Sequence, residues 1–389
     1  METGSTNTDL RPRVDYIDWL RVITTLCVFV FHSARFFDRF SGWHVKNNVT
    51  WIGGDIIVAF MSMWIMPMFM VLAGASTCYA LRVRSPGEYA GERVLRLLVP
   101  FLFGILVIVV PQAYYELQFR NSLPCSFLPQ CYLLYLLDLP QRFAGFGFYH
   151  LWFLIVLFVF SLVCLPLFLD LFKRGSSPLG ALSARCSSPW QLALLLILPL
   201  VLVNILVPPA TLWGSRDFGG WCLAAHLLFF LSGYIIFSGT DPAGLLRKLG
   251  RPAAAAAVLA GMALMPVVDI LANLKDNYGT VLYALAQVVE VVLCWGLMIC
   301  IINLVMHFLN YRNRFLAYAS EAVLPFYILH QTVIIVTGFY IVQWDHDPAL
   351  KYLAIALLSF SLIMALYELL IKRINVLRFL FGMRLRRKA

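Results

Sequence analysis

Charge is what this chain has least of. Only 13% of its 389 residues are Asp, Glu, Lys or Arg, and 61% are hydrophobic. A water-soluble globule and a disordered chain are both excluded by that balance. Cysteine is scarce too, and nine in 389 residues cannot staple a secreted scaffold. The chain has no Gly-x-Ser-x-Gly elbow, Walker loop, His-Glu-x-x-His or Cys-x-x-Cys. The commonest signatures of hydrolases, nucleotide sites, zinc proteases and thiol redox centres are therefore missing.

What is present is a succession of long apolar runs bounded by charge, Gly or Pro. Ten candidate spans fall at about 16–37, 52–81, 94–115, 150–171, 191–207, 220–238, 253–273, 280–308, 320–342 and 349–372. The expectation is an all-α polytopic membrane helix bundle of about ten transmembrane helices, one domain over residues 1–389. A polar segment, 1–15, carries Arg11 and Arg13, and no small-residue cleavage site follows the first apolar run, so the first span is expected to be retained.

The net charge of +10 is dispersed between spans and gathered in a basic tail, 373–389, which reads as orientation charge and not as a nucleic-acid surface. With the N-terminus inside, the alternate inner segments hold 21 of the 30 Lys and Arg. That bias favours an even number of spans with both termini cytoplasmic. The one long connection, Glu116 to Tyr149, is predicted to lie on the outer side, against the membrane surface or over a cavity. It contains Cys125 and Cys131, a candidate disulfide, and Asn48-Val49-Thr50 is a chance-level glycosylation sequon.

Ionisable residues inside apolar runs are costly and point to function. In the first span Arg21 is followed by ten residues and then His32, a separation that sets both on one helical stripe about 16 Å apart. Asp18, three residues before Arg21, can pair with it. Arg93 and Arg96 share a face at the start of the third span, a plausible phosphate clamp; the positive-inside rule alone also accounts for two arginines there. Further polar residues in or beside spans are His150 with Trp152, His226, Asp269, Glu290, Glu321 and His330. Each alone is commonly a helix-to-helix hydrogen bond, but four histidines with buried carboxylates predict a polar cavity through the bundle.

Four elements in this order resemble the integral-membrane acyltransferase family 3. They are Arg21 with His32, Arg93-x-x-Arg96, His150-Leu-Trp-Phe-Leu, and Phe-Tyr-Ile-Leu-His330. The resemblance covers nearly the whole chain and is greatest to the branch of the glucan biosynthesis protein C type, which acylates periplasmic glucans. It implies a multi-pass enzyme of the bacterial inner membrane, in contact with membrane lipid. The reaction would move a small acyl group from cytoplasmic acyl-CoA, acetyl-CoA or succinyl-CoA, to a hydroxyl of an extracytoplasmic acceptor, usually a carbohydrate. No metal is implied.

On that reading Arg93 and Arg96 hold the phosphates of CoA, and His32 is the general base, since imidazole titrates near neutral pH. Arg21 orients the donor or stabilises charge on the thioester oxygen. Asp18, His150, Trp152, Glu321 and His330 support them. The rivals are a proton-coupled secondary transporter or flippase, in which the same residues relay protons, and a non-catalytic sensor that keeps the bundle.

Overall fold

A computed structural model describes residues 14–386, apart from 41, 123, 124, 126, 127, 146, 174–188, 240 and 265–273. The N-terminal residues 1–13, Asp269, Arg174, Arg185 and the end of the tail, 387–389, lie outside the described residues. Everything regular among the described residues is helical. Apolar surroundings leave backbone amides nothing but each other to bond, and a helix satisfies them within one segment.

The helices, in order, are α1 (Asp15–Ala34), α2 (Ile52–Ser62), α3 (Ile65–Leu81), α4 (Pro86–Phe119), α5 (Leu128–Ala144), α6 (Trp152–Val163), α7 (Leu165–Lys173) and α8 (Pro189–Leu206). They continue with α9 (Leu223–Ser238), α10 (Pro242–Leu264), α11 (Leu274–Asn277), α12 (Val281–Phe308), α13 (Arg314–Ile341), α14 (Pro348–Leu366) and α15 (Asn375–Leu380). Seven segments are long and apolar enough to cross a membrane, or eight if the pair α9 and α10, bent by 120°, is one span. The difference from ten arises at α8, whose apolar stretch is shorter, and at that bend; part of the seventh expected span, 265–273, is not described. The protein is a multi-pass membrane helix bundle.

Two boundaries differ from the sequence expectation. The third span begins not near Val94 but at Pro86, because Ser85 and Glu88 form a reciprocal capping box and Pro86 occupies the first turn. Arg93 and Arg96 therefore sit two to three turns inside α4, and the second of them lies in a π-type stretch, Val94–Leu98. The long connection after Glu116 is also not mere loop. Its Leu128–Ala144 segment is helical, and Tyr135 packs with Val110 and Ala113 of α4 and donates to Ile105 O at 2.9 Å. A disulfide joins Cys125 and Cys131.

The most extensive packing joins α3 to α9. A Cβ at Gly74 would meet Phe230 O at 2.1 Å, and one at Gly233 would meet Val71 O at 2.1 Å. Two glycines facing each other's backbones thus let these helices touch, the usual means of close helix approach without a hydrophobic driving force. α1 packs against α2, α3 and α13, so its residues are enclosed on several sides.

Both ends of the described chain meet at one end of the bundle, here the basal end. The opposite, distal end carries a loop, residues 35–51, fastened by charge. Asp38, fully enclosed, accepts from Arg35 at 3.0 Å and Lys46 at 2.8 Å, and Asp55 accepts from Arg39 at 2.8 Å. Burial pushes the Lys46 ammonium below its ordinary range, against the opposing pull of Asp38. Lys351 ties the same loop down by donating to Asn47 Oδ1 at 3.0 Å and Val342 O at 2.9 Å. These bonds join the described part of the loop to α2 and α14.

Candidate active site

Helix α1 reaches two cavities, one at each end of the bundle. The basal cavity, about 570 Å³, is lined by Asp18, Arg21, Ser76, Arg84, Glu92, Arg93, Arg96, Arg312, Glu321 and Arg384, among others. Among the described residues six arginines face three carboxylates there, a surplus of three positive charges. Arg21 donates to Asp18 at 2.6 Å and to Ser76 Oγ. Glu92 is shared by Arg84, by Arg96 at 3.2 Å and by Arg93 at 3.7 Å, so one carboxylate serves three guanidinium groups. Arg93 also lies 4.9 Å over the ring of Tyr89. Such a cluster is built to meet more negative charge than its own acids supply.

Sequence reasoning missed part of this site. It read the tail as orientation charge alone, yet Arg378 is buried and donates to Glu321 at 2.8 Å, and Gly382, Met383 and Arg384 line the cavity. Glu321 is therefore a tether for the tail as well as part of the wall. Arg312 enters from the α12–α13 turn and lies 3.6 Å from Asp15. No single-span pattern signals such convergence, because the four segments are far apart in the chain.

The distal cavity, about 270 Å³, is lined by His32, His44, Tyr149, His150, Trp152, Asp217, Tyr327 and Gln331 with apolar side chains of α1, α2 and α3. Tyr149, Trp152 and Asp217 also line an adjoining recess of about 420 Å³ formed by residues 209–218, so these three mark the passage between the two. Gly219, at φ 68°, belongs to the same wall; a Cβ there would meet Met66 Cγ at 2.4 Å. The wall is anchored by Arg216, which donates to Glu290 at 2.6 Å and to Gln287.

Three imidazoles stand in a row. His330 is 5.1 Å from His32 and 5.0 Å from His150, ring centre to ring centre. His150 Nε2 donates to Ile328 O at 3.1 Å, His330 Nδ1 donates to Tyr327 O, and Tyr327 Oη donates to His150 O. A carbonyl can only accept, so these bonds fix the tautomers of His150 and His330. His32 makes no such bond among the described residues; its ring stacks on Trp43 at 5.2 Å, and its Nδ1 is buried without a partner. Trp152 packs on Phe218 and His226 at 5.3 Å, closing the side of the row.

His226 donates to Phe218 O at 2.7 Å and Glu290 pairs with Arg216, both structural ties. The structure therefore brings His32, His150, Trp152 and His330 together at the distal end and Arg21, Asp18, Arg93, Arg96 and Glu321 at the basal end. At the distal end His44 escaped the sequence reading: it sits in a polar loop, where no apolar run flags it, and is held there by Glu116 at 2.8 Å.

Comparison with known proteins follows the same outline. Proteins named Glucans biosynthesis protein C from Shigella dysenteriae serotype 1 (strain Sd197) and from Escherichia coli (strain K12 / DH10B) are each 25% identical to this chain over 381 residues, covering 94% of either protein. The relative of that name from Escherichia coli O157:H7 matches to the same extent. No solved structure matches the chain. The family model described as acyltransferase domain matches residues 14–368, from the foot of α1 to the π-type turn that follows α14, and the chain belongs to that acyltransferase family.

Proposed function

We propose that the protein is a membrane-bound O-acyltransferase that moves a small acyl group, acetyl or succinyl, from acyl-CoA at the basal, cytoplasmic end to a hydroxyl of a carbohydrate at the distal, extracytoplasmic end. The membrane would be the bacterial inner membrane. One observation carries the reading. A single helix, α1, holds Arg21 in a cavity rich in arginine and His32 in a polar cavity at the opposite end. Eleven residues of helix separate them, about 16 Å.

A surplus of three positive charges suits the phosphates of CoA, with Arg93 and Arg96 as the principal contacts and Arg84, Arg312 and Arg384 beside them. Arg21 steers the thioester upward along α1. In the distal cavity His32 accepts the proton of the acceptor hydroxyl as its oxygen attacks the thioester carbon. The tetrahedral intermediate collapses, the carbon–sulfur bond breaks, and the thiolate takes the proton from the imidazolium. The products are an ester and free CoA thiol, with no net proton gained or lost. The names of the relatives favour a glucan as acceptor.

The test is thiol release by the purified protein from acetyl-CoA and succinyl-CoA, each with a panel of glucose oligosaccharides. Release that requires both donor and acceptor supports the reading. Absence of release together with absence of CoA binding by calorimetry would abandon it in favour of a transporter.

A further inference from the structure

The C-terminal segment folds back on the arginine cavity and brings to it one cation without an acid. Of the six arginines lining that cavity, Arg84, Arg93 and Arg96 share Glu92, and Arg21 is paired with Asp18. Arg312 reaches Asp15 at 3.6 Å and Asp18 at 3.9 Å. Arg384 alone of the six has no carboxylate partner among the described residues, and its guanidinium makes no hydrogen bond with them. It is also exposed. A planar fork of N–H donors at the cavity wall is thus free to meet a ligand.

The backbone that carries Arg384 is held firmly. Arg378, 5% exposed, donates from all three of its guanidinium nitrogens: to Glu321 Oε1 at 2.8 Å, to Arg384 O at 2.8 Å and to Lys372 O at 3.2 Å. Phe381 is buried with its ring 5.4 Å from that of Phe103 on α4. At Gly382, with φ 68°, a Cβ would meet Pro100 Cγ at 2.9 Å and Arg96 O at 3.2 Å, so the chain turns close over α4 in a conformation that suits glycine. Orientation charge requires none of these ties. Arg386, two residues on, shows the contrast: it is exposed, exchanges backbone bonds with the Asn375 side chain at 3.0 and 3.4 Å, and does not line the cavity.

A donor whose thioester points toward Arg21 on α1 leaves its nucleotide end toward the basal opening. That end of CoA carries a phosphomonoester on the ribose, with a charge of about −1.5 to −2 near neutral pH and three acceptor oxygens. Each phosphate of the bridging diphosphate carries only about one. A guanidinium with no acid of its own gains most where the ligand charge is greatest.

We propose that Arg384, presented by Arg378 and Glu321, binds the ribose phosphomonoester of CoA, so that the C-terminal segment completes the donor site and selects CoA over donors lacking that group. The inference rests on the acyl-CoA reading above. In this role Arg384 touches substrate, and Arg378 is a positioning residue.

The experiment is calorimetric titration of the purified full chain in detergent with CoA and with dephospho-CoA, which lacks only the ribose phosphate. Wild type, Arg384→Ala, Arg386→Ala and Arg378→Gln are compared. Wild type is expected to bind CoA at least about tenfold more tightly than dephospho-CoA, the size of one charge-assisted contact. Arg384→Ala should bring CoA down to the level of dephospho-CoA and leave dephospho-CoA binding unchanged. Arg386→Ala removes the same charge outside the cavity and should keep the full preference. Arg378→Gln should lower the preference, and should cost CoA binding nothing further when Arg384 is already alanine.

A preference for CoA that survives Arg384→Ala, an equal loss of both ligands in that variant, or no preference in wild type would overturn the proposal and leave the acyl-CoA reading standing. Failure of wild type to bind either ligand would remove both. Arg384 is exposed and its side chain has no partner among the described residues, so its variant keeps the test decisive even where Arg378→Gln does not fold.

Discussion

His32 and His330 face each other across 5.1 Å, but only His330 is committed to a backbone carbonyl. His330 spends its Nδ1 proton on Tyr327 O, one turn back on its own helix, and its Nε2 is buried with no partner among the described residues. His32 is packed by stacking on Trp43 and by His330 itself, with no fixed tautomer among the described residues. A base must change protonation during a reaction, and the ring least tied to its surroundings is the one that can do so. His330 and His150 are then the frame that holds it.

Replacement of His32 by Ala should lower acceptor-dependent thiol release by about 10²–10⁴-fold, the usual worth of a positioned general base. Donor affinity should stay near the wild-type value, because His32 lies in the cavity opposite the arginine cluster. Calorimetric titration with a non-transferable acyl-CoA analogue checks the second half. Parallel loss of donor binding and turnover would remove His32 from the base role.

Arg93→Ala with Arg96→Ala should weaken CoA binding by roughly 10–100-fold, from the loss of charge-assisted contacts of about 1.5–3 kcal/mol each partly offset by the remaining arginines. Arg84, Arg93 and Arg96 all engage Glu92, so the double substitution also leaves Glu92 with Arg84 alone of these three. An Arg93→Lys, Arg96→Lys control keeps charge and loses the bidentate fork, and should fall between. Unchanged CoA affinity in the alanine variant would return both residues to orientation charge.

Much of this architecture was legible in the chain, for identifiable reasons. Apolar runs reveal helices because a membrane permits little else, and Arg21 and His32 reveal themselves by the cost of sitting within a run. The start of α4 was misread because hydropathy locates the apolar stretch, whereas Ser85, Pro86 and Glu88 begin the helix in polar sequence. The segment Leu128–Ala144 reads as connection because prolines, Pro140 among them, interrupt a stretch rich in Tyr, Phe and Leu. His44, Arg312 and Arg384 carry no local mark of a site, because what marks them is convergence of distant segments. The count of spans was hardest where helices are short or bent, at α8 and at the α9–α10 break.

Arg216 and Glu290 form an ion pair with both side chains nearly enclosed, 12% and 13% exposed. The coulombic pull of Glu290 holds the Arg216 guanidinium above its ordinary range, against the opposing effect of burial. Removing one partner leaves an uncompensated buried charge, about 3–5 kcal/mol. Arg216→Met and Glu290→Leu alone should therefore each lower the melting temperature in detergent, and the double variant should melt above either single one. Losses that simply add would mean the two residues do not act as a pair.

Gly74→Ala sets a methyl group where Phe230 O already stands, at 2.1 Å, and the obstacle is backbone, which cannot rotate away. The two helices must part along their whole contact, so the expected cost is about 1–3 kcal/mol or more. Gly233→Ala meets Val71 O at the same distance from the opposite helix and should behave alike. Gly261→Ala is the control: among the described residues nothing lies within 4 Å of its Cβ position, and alanine favours helix over glycine by about 1 kcal/mol. Melting curves of the three variants in detergent should show the first two lowered and the third level or raised. If Gly74→Ala melted like Gly261→Ala, the close contact of α3 with α9 would not be what holds this side of the bundle together.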